Sequence, residues 1–187
     1  QADRIPKQLN RSNGLYETGI VLLRANPFNG KVLVVYDNAH VDVIDADFEI
    51  NPMPDLRLKT INGKKVIREI TFYKQFAYLA CGFGIVVIDT DKLEVTDTYF
   101  IGKRGADLDV LQVALNDSLM YAASTQGLLY CSYKSKYPGD YRNWNWDTLL
   151  IKPKQLSGIV HCNKSFFVSY NFGDTSNQTS LYKKRSS

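Results

Sequence analysis

Phe76 to Asp89 reads FAYLACGFGIVVID. An apolar run leads into Gly82-Phe83-Gly84, and a second apolar run leads out to an aspartate. Both runs are too short for helices and rich in Ile, Val and Tyr, so the glycine hinge between them predicts a β-hairpin. The pattern recurs along the chain. Val32 to Asp45 reads VLVVYDNAHVDVID, Met120 to Ser132 reads MYAASTQGLLYCS, and Phe166 to Gly173 reads FFVSYNFG. The residues that follow each hinge are His40, Gly84, Gly127 and Gly173, spaced by 44, 43 and 46 residues. A period of about 40 to 50 residues holding several strands marks an array of propeller blades. The expected fold is therefore all-β, a β-propeller of four-stranded antiparallel blades.

Working outward, each hairpin is preceded by one apolar strand and followed by a variable one. Gly19 to Ala25, GIVLLRA, reads as a strand covered on both faces. Asn26-Pro27 and Asn29-Gly30 mark a turn into the strand at Val32 to Tyr36. Asp45 to Asp55 reads as a loop because of Pro52 and Pro54, and Leu56 to Ile61 as an outer strand. Val66 to Phe72 opens the second unit and Leu93 to Ile101 ends it. Val110 to Leu115 opens the third, and Ser157 to Cys162 the fourth. The fourth unit breaks off at the polar stretch Asp174 to Thr179 with no outer strand in view. Approximate blades are 14–61, 62–105, 106–151 and 152–187, with 1–13 as an end segment or closing strand. A four-stranded meander exposes apolar faces that only neighbouring blades can cover. Three to four blades therefore either close as a small ring, completed by the N-terminal segment, or form part of a larger one of about seven blades. The second arrangement is expected, with self-association of the open faces if the chain stands alone.

Composition sets the outer limits. The 187 residues carry a net charge of +4, with basic residues spread along the chain except at Lys183-Lys184-Arg185. That dilution argues against nucleic acid as a partner. No apolar run reaches the roughly 18 residues of a membrane span, and the first twenty residues lack a signal-peptide core. Cys81, Cys131 and Cys162 sit in or beside expected strands, where a thiol acts as a small buried hydrophobe. No pair has metal-ligand spacing, so no metal or cofactor is expected.

LVVYDNAHVDVID, followed by LRLKTINGKKVIREITFYKQFAYLACGFGIVVIDTDKLEVTDTYFIG, resembles the second and third blades of the N-terminal propeller of the PorZ family. NGLYETGI falls where that family has an NGL motif at the start of a strand. The likeness covers about residues 13 to 150, is most specific from Leu33 to Gly102, and fades after Trp146. The repeats also resemble the periplasmic propellers of Bacteroidetes hybrid two-component regulators. The PorZ resemblance implies an exported cell-envelope accessory of type IX secretion, in the periplasm or at the surface. Such proteins act with the machinery that attaches cargo to anionic lipopolysaccharide. The family supplies no catalytic motif to carry over, and this chain is far shorter than its members.

Candidate sites are few. His40 lies at a hinge with Asp37, Asn38 and Asp42, a set that suits metal binding or proton transfer but more simply reads as an exposed polar turn. His161, beside Cys162 in an apolar strand, reads as a core histidine. Asp45, Asp47, Asp89 and Asp91 form two DxD pairs at matching places in successive units, which points to turn chemistry over calcium. Ser124 has no elbow motif or local base, so it is not read as a nucleophile. The segment YPGDYRNWNW is richest in surface-compatible aromatics. Tyr137, Tyr141, Arg142, Trp144 and Trp146 suit sugar stacking or a protein interface, with one tryptophan packed between blades as the plainer alternative. The expected function is a non-enzymatic binding or assembly module with a protein, glycan or lipopolysaccharide partner. A ligand-sensing propeller of a two-component regulator is the alternative, and a propeller lyase or glycosidase a third class.

Overall fold

The computed structural model describes residues 8–53, 63–148, 154–172 and 179–185. Fifteen strands in these residues make four antiparallel sheets, each a meander in chain order. The first holds β1 (Ile20–Ala25), β2 (Val32–Tyr36), β3 (Val41–Ile44) and β4 (Ile50–Met53). The second holds β5 (Ile67–Tyr73), β6 (Phe76–Cys81), β7 (Gly84–Asp89) and β8 (Glu94–Tyr99). The third holds β9 (Val110–Leu115), β10 (Leu119–Ser124), β11 (Gly127–Ser132) and the short β12 (Asn145–Trp146). The fourth holds β13 (Lys154–Cys162), β14 (Ser165–Phe172) and β15 (Thr179–Arg185). The sheets are propeller blades, and among the described residues the arc they form does not close.

Three apolar layers join them. Leu33, Val35, Val41 and Val43 of the first blade pack on Ala77, Leu79, Cys81, Val86 and Ile88 of the second. The opposite face of the second, with Tyr78, Ala80, Ile85 and Val87, packs on Val113, Met120, Ala122 and Leu129 of the third. The third blade's remaining face, with Tyr121, Ala123 and Leu128, packs on Ile159, Phe166 and Val168 of the fourth. Side chains alternate along a strand, so a blade with neighbours on both sides must be apolar at every position. That is the physical reason FAYLAC and GIVVID read as unbroken apolar runs. All of Ala77 to Cys81 and Gly84 to Asp89 is buried.

The first strands converge and the outer strands diverge, so β1, β5, β9 and β13 line the axis side. Bidentate ion pairs cross between neighbours there, Arg24 to Glu69 at 2.7 Å and Arg68 to Asp109 at 2.6 Å. Farther out, Lys184 of β15 pairs with Asp147 at 2.5 Å and lies 5.4 Å and 5.3 Å from the ring centres of Tyr121 and Tyr130.

Several expectations need correction. Asp45 to Asp55 is not all loop, because β4 takes Ile50–Met53 with Pro52 inside it. A proline is tolerated there since β4 is an edge strand, with no outer partner for the missing N–H. GIVLLRA is a strand but is not covered on both faces. Leu22 packs inward, while Ile20, Val21 and Leu23 are 51%, 57% and 55% exposed. The fourth unit has a third strand, β15, beyond the polar stretch. His161 and Cys162 are exposed, because the end of the axis-lining β13 has no further blade against it. Residues 8–13, half of the expected end segment or closing strand, are a coil that enters a turn. The expected strand at Leu56 to Ile61, the hinge at Gly173 and residues 1–7 lie outside the described residues.

Hinge geometry explains one glycine. Gly84 has φ +153°, and a Cβ there would sit 2.1 Å from the Tyr99 carbonyl oxygen on β8. Gly84→Ala should therefore lower the unfolding free energy by about 2–4 kcal/mol, seen as an earlier urea midpoint. Thiol labelling provides a second check. Burial pushes the Cys81 and Cys131 thiols up to about 12, leaving them protonated and unreactive, whereas Cys162 is accessible. A maleimide should modify one thiol in the native protein and three after denaturation.

Candidate functional site

Three regions carry side chains beyond what the core requires. The first is the outer rim. After β11 the chain runs along the second blade's outer strand, where a Cβ on Gly139 would lie 3.2 Å from the Tyr99 ring. It then makes a single 3-10 turn at Tyr141–Asn143, capped by Asp140 accepting from the Arg142 N–H. Trp144 is buried in the layer between the second and third blades, its indole N–H donating to the Pro138 carbonyl at 2.7 Å. Trp146 follows on β12. Tyr137, Tyr141 and Trp146 are 60%, 38% and 39% exposed. The Arg142 guanidinium is held by Asp140 at 2.6 Å, and that contact keeps the Asp140 carboxyl below its usual range. Of the three exposed rings, Tyr137 lines a shallow hollow of about 370 Å³ with Asp97, Lys136 and Asp140, while Tyr141 lies against Gly105 and Trp146 against Gly127.

The second region is a buried polar cluster on the face of the first blade that points away from the second. His40 Nε2 lies 2.9 Å from Asp42 Oδ1, and the Tyr36 hydroxyl donates to Asp42 Oδ2 at 2.5 Å. The Tyr16 backbone N–H donates to the same oxygen at 3.1 Å, and the Tyr16 ring stacks on His40 at 4.8 Å. Both His40 and Asp42 are fully buried, which corrects the expectation of an exposed turn. Asp37 and Asn38 do stay exposed, so the hinge separates Asp37 from the His40–Asp42 pair. Burial, with the hydrogen bond to Asp42, pushes the Tyr36 hydroxyl far above its ordinary pKa.

Repeat register shows how unusual Asp42 is. It pairs with Val34, as Val86 pairs with Leu79, Leu129 with Ala122, and Tyr182 with Val168. A carboxylate occupies the place where the other blades have an apolar or aromatic side chain. VDVID set against GIVVID holds that signal, because Asp42 falls opposite Val86.

The third region is a groove of about 530 Å³ on the axis side of β5, β9 and β13. Its rim is built from the first turn of each unit: Phe28, Tyr73 and Asp117, with His161 beside the last. Tyr73 donates its hydroxyl to Asp117, and this bond raises its pKa to about 12. The Tyr73 ring lies edge-on to Phe28 at 6.3 Å and to Tyr133 at 4.8 Å. These residues come from four separate units, and only the packing of the blades brings them together.

The remaining candidates are structural. Asp45 Oδ1 accepts from the N–H groups of Asp47 and Glu49, and Asp89 Oδ1 from those of Asp91 and Lys92. Ser124 Oγ bridges Gly127 O and Gln126 N within its own hairpin. No group of three or more His, Cys, Asp or Glu side chains arranged to hold a metal is found among the described residues.

A family model described as the type IX secretion PorZ N-terminal β-propeller domain matches residues 1–145. The chain belongs to the PorZ N-terminal β-propeller family. Among solved structures, PorZ of Porphyromonas gingivalis, a bacterial surface component of the type IX secretion system, superposes with a TM-score of 0.75 at 18% identity. The match covers 92% of this chain and 23% of that one. The extracellular domain of BT4673 from B. thetaiotaomicron, described both as a one-component and as a hybrid two-component system, gives 0.69 at 13% identity over 97% and 22% of the two chains. YCF48 bound to D1 peptide gives 0.57 at 16% identity over 80% and 47%. This PorZ-family chain therefore spans about a quarter of the length of the first two proteins. No curated protein sequence matches it. No helix among its described residues is long and apolar enough to cross a membrane.

The buried cluster gives a direct test. Asp42→Ala removes the shared acceptor of Tyr36, His40 and the Tyr16 N–H. Stability should fall by about 3–5 kcal/mol, measured by urea unfolding, because buried donors left without partners are costly.

Proposed function

We propose that this chain forms blades of an exported, non-enzymatic propeller that serves type IX secretion at the bacterial envelope. In this reading it helps attach secreted cargo to anionic lipopolysaccharide. The observation that carries the proposal is the family match over residues 1–145, joined to a fold that superposes on a surface component of that secretion system. The described geometry agrees with rigid presentation rather than bond chemistry: the blades interlock through apolar layers, and the accessible functional groups sit on turns and the rim.

Within that reading, the rim segment is the contact site for a glycan or a protein. Tyr137, Tyr141 and Trp146 offer exposed ring faces at small conformational cost, and Arg142 is pre-oriented by Asp140 to meet an acidic group. Asp37 adds an exposed carboxylate elsewhere on the first blade, whereas His40 acts beneath the surface as a support. The exposed apolar strips on β1, β13 and β15 are then the places where the rest of a longer chain, or a second copy, continues the ring.

The test is made in a bacterium carrying the intact gene. Tyr137→Ala, Tyr141→Ala and Trp146→Ala together should lower surface attachment of cargo to lipopolysaccharide by about tenfold, the loss of roughly 1.4 kcal/mol of binding. The unfolding midpoint should hardly move, because the three rings are exposed. Full attachment after deletion of the gene would remove the secretion reading itself. The likeness to BT4673 supports a sensor as the second reading, which requires a membrane helix and a signalling module encoded downstream.

A further inference from the structure

The axis-side groove is separate from the rim segment. Its mouth takes one residue from the first turn of each unit in succession: Phe28, Tyr73, Asp117 and His161. We infer that it is a binding pocket for a single arginine side chain presented by a peptide or protein segment. The inference rests on the reading of the propeller as a binding module.

Three observations select that ligand. First, the Asp117 carboxylate is exposed and accepts only from the Tyr73 hydroxyl, with no cationic partner among the described residues. Second, the rings around it already attract a cation. The Lys74 ammonium lies 5.4 Å from the Tyr73 ring centre, and Phe28 is 59% exposed beside it. Third, the other polar side chains lining the groove have their oxygens engaged. Asn116 Oδ1 accepts from the N–H groups of Ser118 and Leu119, Gln112 Oε1 accepts from Ile159 N–H, and the Thr71 hydroxyl donates to the Val113 carbonyl. A sugar needs acceptors as well as donors for its hydroxyls, and these side-chain oxygens are already taken. One cation needs only a carboxylate and an aromatic face. A planar guanidinium meets both demands, stacking on Phe28 while donating to the Asp117 lone pairs left over by Tyr73. The groove, about 530 Å³, accommodates such a side chain with its flanking backbone.

The experiment is a titration of the full chain with acetylated, amidated heptapeptides holding one central arginine, read by fluorescence anisotropy. The same peptides with glutamine in place of arginine serve as controls. The arginine peptides should bind, and the glutamine peptides should bind at least about fivefold more weakly. Asp117→Asn, which keeps an acceptor for Tyr73, and Phe28→Ala should each weaken arginine-peptide binding by at least about fivefold, the value of one exposed ion pair or cation–π contact. Gln126→Ala, exposed at the hinge between β10 and β11, should leave it unchanged. Equal affinity for the glutamine series, no loss in the two groove variants, or no peptide binding at millimolar concentration overturns the inference. So does binding of a neutral oligosaccharide that Phe28→Ala abolishes and Asp117→Asn spares, which would assign the mouth to sugars. The secretion reading is judged by cargo attachment in cells, so either proposal can fail while the other stands.

Discussion

A β-sheet that is apolar on both faces cannot exist alone in water, and everything else in this chain follows from that constraint. Leu79 and Val86 look toward the first blade while Tyr78 and Ile85 look toward the third, and none has appreciable contact with solvent. Burying such side chains contributes about 1.5–3 kcal/mol each relative to exposure, so successive sheets stack face to face. The convergence of the first strands then creates an axis, and the turns that join first to second strands gather at one end of it.

Polar chemistry is placed around that apolar frame rather than within it. Arg24, Glu69, Arg68 and Asp109 bridge neighbouring first strands where water is near and desolvation is cheap. Some carboxyl groups are nonetheless covered, Asp89 and Asp147 almost fully and Asp42 wholly. The oxygens of Asp42 are engaged by the Tyr36 hydroxyl, the Tyr16 backbone N–H and His40 Nε2, the condition under which a buried carboxyl group is tolerated. That cluster fastens the segment before β1 onto the outer face of the first blade. The opposite end of the arc is different in kind: Val160 and Leu181 are exposed on the fourth blade with no comparable cover among the described residues.

The two surfaces assigned to partners differ for physical reasons. The rim segment belongs to one unit and is long enough to fold back on its neighbour, anchored by the buried Trp144. Its remaining aromatics are therefore held outward on a fixed base. The axial mouth is assembled from all four units, each giving one turn residue, so its shape depends on blade packing more than on any local segment.

Repeat spacing, hairpins and blade order were legible in the residues themselves, because strand alternation and glycine hinges are local and the period of about 44 residues multiplies a weak signal fourfold. The turn roles of Asp45 and Asp89 were legible for the same reason. Exposure was not. GIVLLRA is as apolar as GIVVID, yet only the second is covered on both faces, since cover comes from a neighbouring sheet and not from the strand. His40 and His161 exchanged their expected environments for that reason too: one lies under Tyr16, and the other is exposed at the end of an axis-lining strand, its ring beside Phe166. The chain's own chemistry thus determined which segments pair and in what repeat. Tertiary packing alone decided which side chains meet across blades, because contacts such as Tyr73 with Asp117, 44 residues apart, arise only once the ring brings distant turns together.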